Sequence, residues 1–241
     1  MAAACALVVG YPSLRVKGHY FAIVTLAYNL VIVTVLTTYK SLTGGEAGMP
    51  NIERPATLVL GGMQISFAGR EGYYYLALLA AAAATAACTL VLHSRVGRVL
   101  IAIRQNEMLV DAVGVAAWRY KLFAFVASGF LAGAAGALYA HFIGFLNPEP
   151  FGADQSMNVI LAVILGGSGT LLGPIVGAFV VVTLPEYLRV ADTYRLVAYG
   201  LLLVLATIFM PRGIVPTVSR GLRGVATRLV PALRPRPGPT A

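Results

Sequence analysis

Apolar residues run along this chain in blocks of roughly twenty, each closed by a polar or basic interruption. Residues 19–39 (HYFAIVTLAYNLVIVTVLTTY) carry no acidic or basic side chain except His19, and about 20 apolar residues suffice to cross a bilayer. Residues 73–93 form a second block, opened by three tyrosines suited to a membrane interface. Residues 122–145 make a third, and 196–210 a last one, stopped by Pro211-Arg212-Gly213. Residues 1–14 are apolar but too short to cross, and read as the end of a helix followed by Arg15 and Lys17. They have neither a basic leader nor a clear cleavage site, so they are not read as a signal peptide.

The block at 157–190 differs, because GGSGTLLGP at 166–174 breaks it into two helical pieces. Non-helical backbone survives at membrane depth only where protein or a polar cavity surrounds it. The pattern therefore predicts an all-α fold: a polytopic transmembrane helical bundle with a broken or re-entrant helix pair near Gly166 and Pro174. Residues 40–72, rich in Gly and Pro, read as a large loop, and 147–156, with Glu149 and Asp154, as a short acidic one.

Composition agrees. The 241 residues are 59% hydrophobic and 11% charged, with mean hydropathy +0.81, whereas soluble domains carry about a quarter charged residues. A net charge of +9 would suit nucleic acid, but the cations sit at the ends of apolar runs, so no nucleic-acid partner is expected. They orient the chain instead. With Arg15, Lys17, the 94–121 loop and everything after Pro211 on one side, that side holds 13 basic and two acidic residues. The other side holds five basic and seven acidic residues, so the basic side is expected in the cytoplasm. Parity then makes 157–190 begin and end outside. Residues 1–212 are read as a transmembrane domain and 213–241 as a basic cytoplasmic tail. Val218, Leu222, Val225 and Leu229 there are spaced for a helix lying on the inner leaflet, with disorder as the alternative.

The loop 94–121 carries five basic residues (Arg95, Arg98, Arg104, Arg119, Lys121) against Glu107 and Asp111. Asn106 is a good N-cap, Glu107 suits a positive helix start, and Gly114 suits the position after a helix end. A two-turn helix over 107–113 follows, with Met108, Ala112 and Val115 as its apolar face. It is either a knob for a partner's groove or a plain connector.

Gly167, Gly169 and Gly173 look superficially like a nucleotide-binding turn. The third glycine falls one place late, no Gly-Lys-Ser/Thr follows, and no soluble α/β domain surrounds them. Gly169, Gly173 and Gly177, four apart, instead suit close helix approach, and lining a solute path stays open. Gly129, Gly133 and Gly136 share one helix face and are likewise read as packing or path residues. His141 is read as interfacial, with a proton relay as the alternative. Cys5 and Cys88 lie in apolar surroundings and are read as small buried residues, with no disulfide or metal site. No acid pair or His/Asp/Glu cluster lies within a span, which argues against a membrane-embedded enzyme.

These stretches resemble the LivM-type permease subunits of branched-chain amino acid ABC transporters. The likeness runs through LRVKGHYFAIVTL (14–26), SLTGG (41–45), GRVLIAIRQNEMLVDAVGV (97–115), residues 119–151, VILGGSGTLLGPIVGAF (163–179) and YRLVAYGLLLVLATIFMPRGI (194–214). It implies an importer permease in a prokaryotic inner membrane, itself binding no cofactor, with ATP bound by partner ATPase subunits. A second permease subunit and a periplasmic solute-binding protein are implied as further partners. Arg104, Glu107, Met108, Asp111 and Gly114 would lie in its coupling helix, and Gly129, Gly133, Gly136, Gly166, Gly167, Gly169 and Gly173 in packing or the translocation path. Leu109, Val110 and Glu46-Ala47 depart from the family pattern. Further helices are expected before the point matching Met1, so a fragment, a mis-assigned start, a split subunit or a non-transporting scaffold stay open.

Overall fold

The computed structural model describes residues 1–16, 18–52, 58–60, 63–65, 69–187, 200, 204 and 213–217. It forms two compact units, Met1–Ala153 and Asp154–Ala241. Three helices are long and apolar enough to cross a membrane, over Tyr20–Thr38, Glu71–His93 and Ala117–Ile143, and their most apolar windows are not buried within the chain. Large side chains such as Leu79, Leu90 and Phe179 face outward, while Ala117, Ala140 and Ala162 are buried. Outward-facing large apolar side chains are expected where lipid takes up the exterior.

In the first unit, α1 (Ala2–Ser13) packs chiefly on α7 (Ala117–Ile143). Ala2, Ala6 and Gly10 recur every four residues on one face of α1 and meet Gly133, Gly129 and Phe125 in antiparallel order. α2 (His19–Thr38) leads through α3 (Lys40–Thr43) and a 3-10 turn at Gly45–Ala47 to β1 (Met49–Pro50). Thr25, Thr34, Thr37 and Thr38 of α2 each donate their hydroxyl to a carbonyl of the preceding turn, so their polarity is spent within the helix. β2 (Leu58–Leu60) pairs antiparallel with β3 (Met63–Ile65), and β1 with β4 (Phe145–Leu146) beyond the end of α7. The expected plain loop 40–72 thus contains paired strands, too short for an alternation pattern to reveal them.

α4 (Arg70–His93) and α7 take the predicted second and third spans, but α7 starts five residues before 122. Trp118, Arg119, Tyr120 and Lys121 continue the helix out of the apolar block, since long amphipathic side chains can keep their heads in water. The loop 94–121 holds a helix that the capping signals did not announce, α5 (Arg95–Gln105), before α6 (Glu107–Ala112). Ser94 caps α5 by accepting from Gly97 N at 3.3 Å. Gly97 lets the chain turn sharply, because a Cβ there would lie 2.3 Å from Leu92 O.

The second unit is a helical hairpin of α8 (Ala153–Gly166) and α9 (Gly173–Tyr187). Pro174 falls in the first turn of α9, where its missing N–H costs nothing. Thr170 donates to Gly167 O at 3.2 Å and accepts from Gly173 N at 3.1 Å, closing the turn. Ala162, Leu165 and Val181 form a small core joined by Val180 and Ile214. The predicted span 196–210, apart from Gly200 and Val204, and the tail beyond 217 lie outside the described residues.

Candidate coupling site

α6 is only six residues long, too short to persist on its own, so its ends have to be fixed by other groups. Asn106 Oδ1 accepts from Leu109 N at 3.2 Å. At the other end Gly114 takes φ +86°. Gly114 N donates to Asp111 O at 3.0 Å and Val115 N to Val110 O at 3.3 Å, the paired bonds of a Schellman motif. The helix stops one residue short of the expected 107–113, with Val113 as its C-cap.

Both acids of α6 reach toward α7. Glu107 Oε2 lies 2.5 Å from Lys121 Nζ, a half-exposed pair. Asp111 Oδ1 accepts from Ala117 N at 3.2 Å, and so supplies the start of α7 with the side-chain cap that Ala116 cannot give. Sequence reading missed this latch, since neither Lys121 nor Ala117 lies in the α6 register. The signal available was a lysine and an uncapped helix start just beyond the glycine.

Both acids are committed to α7, although Asp111 stays exposed, and beside them the α6 segment bares apolar side chains. Met108 is 82% exposed, Leu109 63% and Val113 75%. Of the expected face of Met108, Ala112 and Val115, the first two are exposed, while Val115 is drawn into the Schellman turn. Arg104 is exposed in the last turn of α5, where a cation suits the helix dipole. Behind the latch, Trp118 meets Tyr11 of α1 edge to face at 6.3 Å. The guanidinium of Arg119 lies 5.5 Å from the Trp118 ring, and Arg15 donates to Tyr11 Oη at 2.6 Å.

The glycines fall into three sites rather than one. Gly129 and Gly133 sit in the α1 seam, where an added Cβ would lie 2.4 Å from Ala6 Cβ and 2.2 Å from Ala2 Cβ. Gly136 lies beyond that seam, with nothing nearer to a Cβ than Phe151 Cε1 at 3.9 Å. Gly166, Gly173 and Gly177 bring α8 and α9 into backbone contact, and Gly167 turns the chain at φ +114°. Gly169 is exposed in the turn and shares no helix face with Gly173 and Gly177, because the helix ends at Gly166.

Cys5 is exposed and Cys88 intermediate, so the expected burial holds at neither. No cluster of three His, Cys, Asp or Glu able to hold a metal occurs among the described residues. His141 Nδ1 is 2.8 Å from Ala137 O, within its own helix. A cavity of about 770 Å³ opens between α4 and α7, lined by Tyr73, Tyr74, Tyr75, Leu138, Tyr139 and Phe142 among others. The Tyr73 hydroxyl donates to Leu138 O across it.

Residues 1–207 match the family model described as branched-chain amino acid transport system / permease component. The chain is 32% identical over 244 residues to the high-affinity branched-chain amino acid transport system permease protein LivM of Escherichia coli (strain K12), covering 92% of this chain and 57% of that one. It is 31% identical over 179 residues to the autoinducer 2 import system permease protein LsrC of Klebsiella pneumoniae, covering 72% and 47% respectively. To LivH of Escherichia coli (strain K12), a permease of the same transport system, identity is 26% over 184 residues, covering 74% and 59%. The chain thus spans a little over half the length of the curated relatives it matches. No solved structure matches it. With a family match across most of its length and membrane-length helices to go with it, the chain belongs to the permease components of branched-chain amino acid transport systems.

Proposed function

We propose that this chain is the membrane-spanning permease subunit of an ATP-driven ABC importer for branched-chain or other hydrophobic amino acids. ATP-binding subunits, a second permease subunit and a periplasmic or extracellular solute-binding protein complete the machine, in the inner (plasma) membrane of a prokaryote. The loop 94–121 and the C-terminus face the cytoplasm, in line with the excess of cations there. ATP is bound by the partner subunits, and the chain itself is not an enzyme. The branched-chain amino acid transport for which LivM and LivH are named supports the substrate class.

One observation carries the coupling role: a six-residue helix capped at both ends, latched to a membrane-length helix, with Met108, Leu109 and Val113 exposed. Bare apolar side chains on so short a helix call for a partner's groove. A push on α6 would pass through Glu107–Lys121 and Asp111–Ala117 into α7, and through the glycine seam into α1.

Met108 is the cleanest probe, because it is the most exposed of the three and outside the latch. In the reconstituted complex, Met108→Glu is expected to lower solute-stimulated ATP hydrolysis at least about tenfold, since a charge buried unpaired in an apolar groove costs more than 1.4 kcal/mol. Membrane insertion should be unaffected. Stimulation at the wild-type level would remove α6 from the ATPase interface.

A further inference from the structure

Asn29 stands at the midpoint of the 20-residue α2, about 15 Å from either end at 1.5 Å per residue. Its Nδ2 donates to the carbonyl oxygen of Phe151 at 3.3 Å, across 122 residues of sequence. A carbonyl can only accept, so the amide nitrogen has to face Phe151 and cannot exchange places with the oxygen. Asn29 Oδ1 therefore points elsewhere, where it is buried with no hydrogen-bond partner. An acceptor left in that state carries an uncompensated desolvation cost until a donor reaches it. The threonines of the same helix avoid this cost by bonding to their own backbone.

The surroundings narrow the choice of donor. Phe151 belongs to a 3-10 turn, Glu149–Phe151, brought level with the middle of a membrane-length helix. Backbone of that kind persists at such depth only inside protein or beside a polar cavity. Tyr139 holds the Phe151 ring edge to face at 6.1 Å and 87°. Gly136, nearly one turn earlier on α7, leaves the space beside that ring unfilled. An orphaned acceptor on a side chain tied to the Phe151 backbone, with open space beside that residue's ring, suits an N–H cation carrying an apolar group.

From this geometry we infer that Asn29 Oδ1 accepts a hydrogen bond from the ammonium group of the transported solute, with Phe151 as the apolar wall beside it. The inference deepens the importer reading above and rests on it.

The test uses the complete chain assembled with its ATPase, second permease and binding protein in proteoliposomes, reading ATP-dependent uptake of labelled L-leucine. Absence of uptake by the wild-type complex would overturn the importer reading and this inference with it. Given uptake, two variants separate acceptor from tether. Asn29→Leu removes both functions of the amide, whereas Asn29→Asp keeps an acceptor but, ionised, cannot donate to Phe151. Uptake is expected to fall at least about tenfold in Asn29→Leu and to stay within about threefold of wild type in Asn29→Asp, as a lost bond to a charged group predicts. Equal losses in the two variants, or wild-type uptake in Asn29→Leu, would overturn the assignment. Asn29→Cys, with Cys5→Ser and Cys88→Ser, gives an independent reading that survives poor insertion of either variant. A charged thiol reagent should label it, and leucine-loaded binding protein with ATP should slow the labelling. No labelling, or labelling that leucine leaves unchanged, would assign the donor to a fixed water or a packed neighbour.

Discussion

Two seams in this molecule use glycine to bring helices together, and they do so by different means. Between α1 and α7 each seam glycine of α7 faces an alanine methyl: Gly129 opposes Ala6 and Gly133 opposes Ala2. Between α8 and α9 the glycines face backbone: a Cβ on Gly166 would lie 1.8 Å from Gly173 O, and one on Gly177 1.8 Å from Ala162 O. An alanine methyl is fixed to its helix but stands out from it, so a slightly wider helix spacing relieves a clash there. A carbonyl oxygen belongs to its helix's hydrogen-bond ladder and takes the helix with it. The first seam thus keeps a methyl between the two backbones, and the second, the tighter joint, has none.

Gly177→Ala is the strongest test of the tighter joint. Its methyl has no flexible neighbour to displace, so the cost should reach or pass about 3 kcal/mol, the upper end for overpacking. The expected outcome is loss of folded protein, measured as the monodisperse fraction in detergent. A folded, active Gly177→Ala would mean that α8 and α9 part easily, and the contrast between the seams would disappear.

Gly133→Ala should cost less, about 1–2 kcal/mol, because its methyl would meet one alanine methyl rather than a backbone carbonyl. Ala2→Gly in the same chain should restore most of the loss, read as thermal unfolding in detergent. Rescue by Ala2→Gly with no rescue by a change elsewhere on α1 would pin the register of the two helices. Failure of the pair to couple would break the seam as described.

The contrast between seams was only partly legible in the sequence. Block length located α2, α4 and α7, because about twenty apolar residues have few other uses. The spacing of Gly129 and Gly133 identified a packing face but not its partner, since Ala2 and Ala6 lie more than a hundred residues away in a segment read only as the end of a helix. Gly169 was grouped with Gly173 and Gly177 on spacing alone. That rule assumes an unbroken helix, and the turn after Gly166 removes the assumption. At α6 the caps at Asn106 and Gly114 were readable because they are local. The latch was not, because Asp111 spends its carboxylate on a different helix.

Gly136 marks where the comparison reaches its smallest effect and where stability and transport should separate. It follows Gly133 on the same helix face, yet an added methyl would meet only the edge of Phe151 at an ordinary contact distance of 3.9 Å. Nothing has to move, and a helical glycine replaced by alanine gains up to about 1 kcal/mol in backbone entropy. Gly136→Ala should therefore leave thermal stability unchanged or slightly raised, opposite in sign to Gly133→Ala one turn away. If the space beside Phe151 is only a packing defect, uptake should be unchanged as well. If a solute passes there, the methyl narrows its path, and uptake should fall while the protein remains at least as stable as wild type. A stabilised variant with reduced uptake would separate a glycine kept for helix approach from one kept for open space, which spacing alone cannot do.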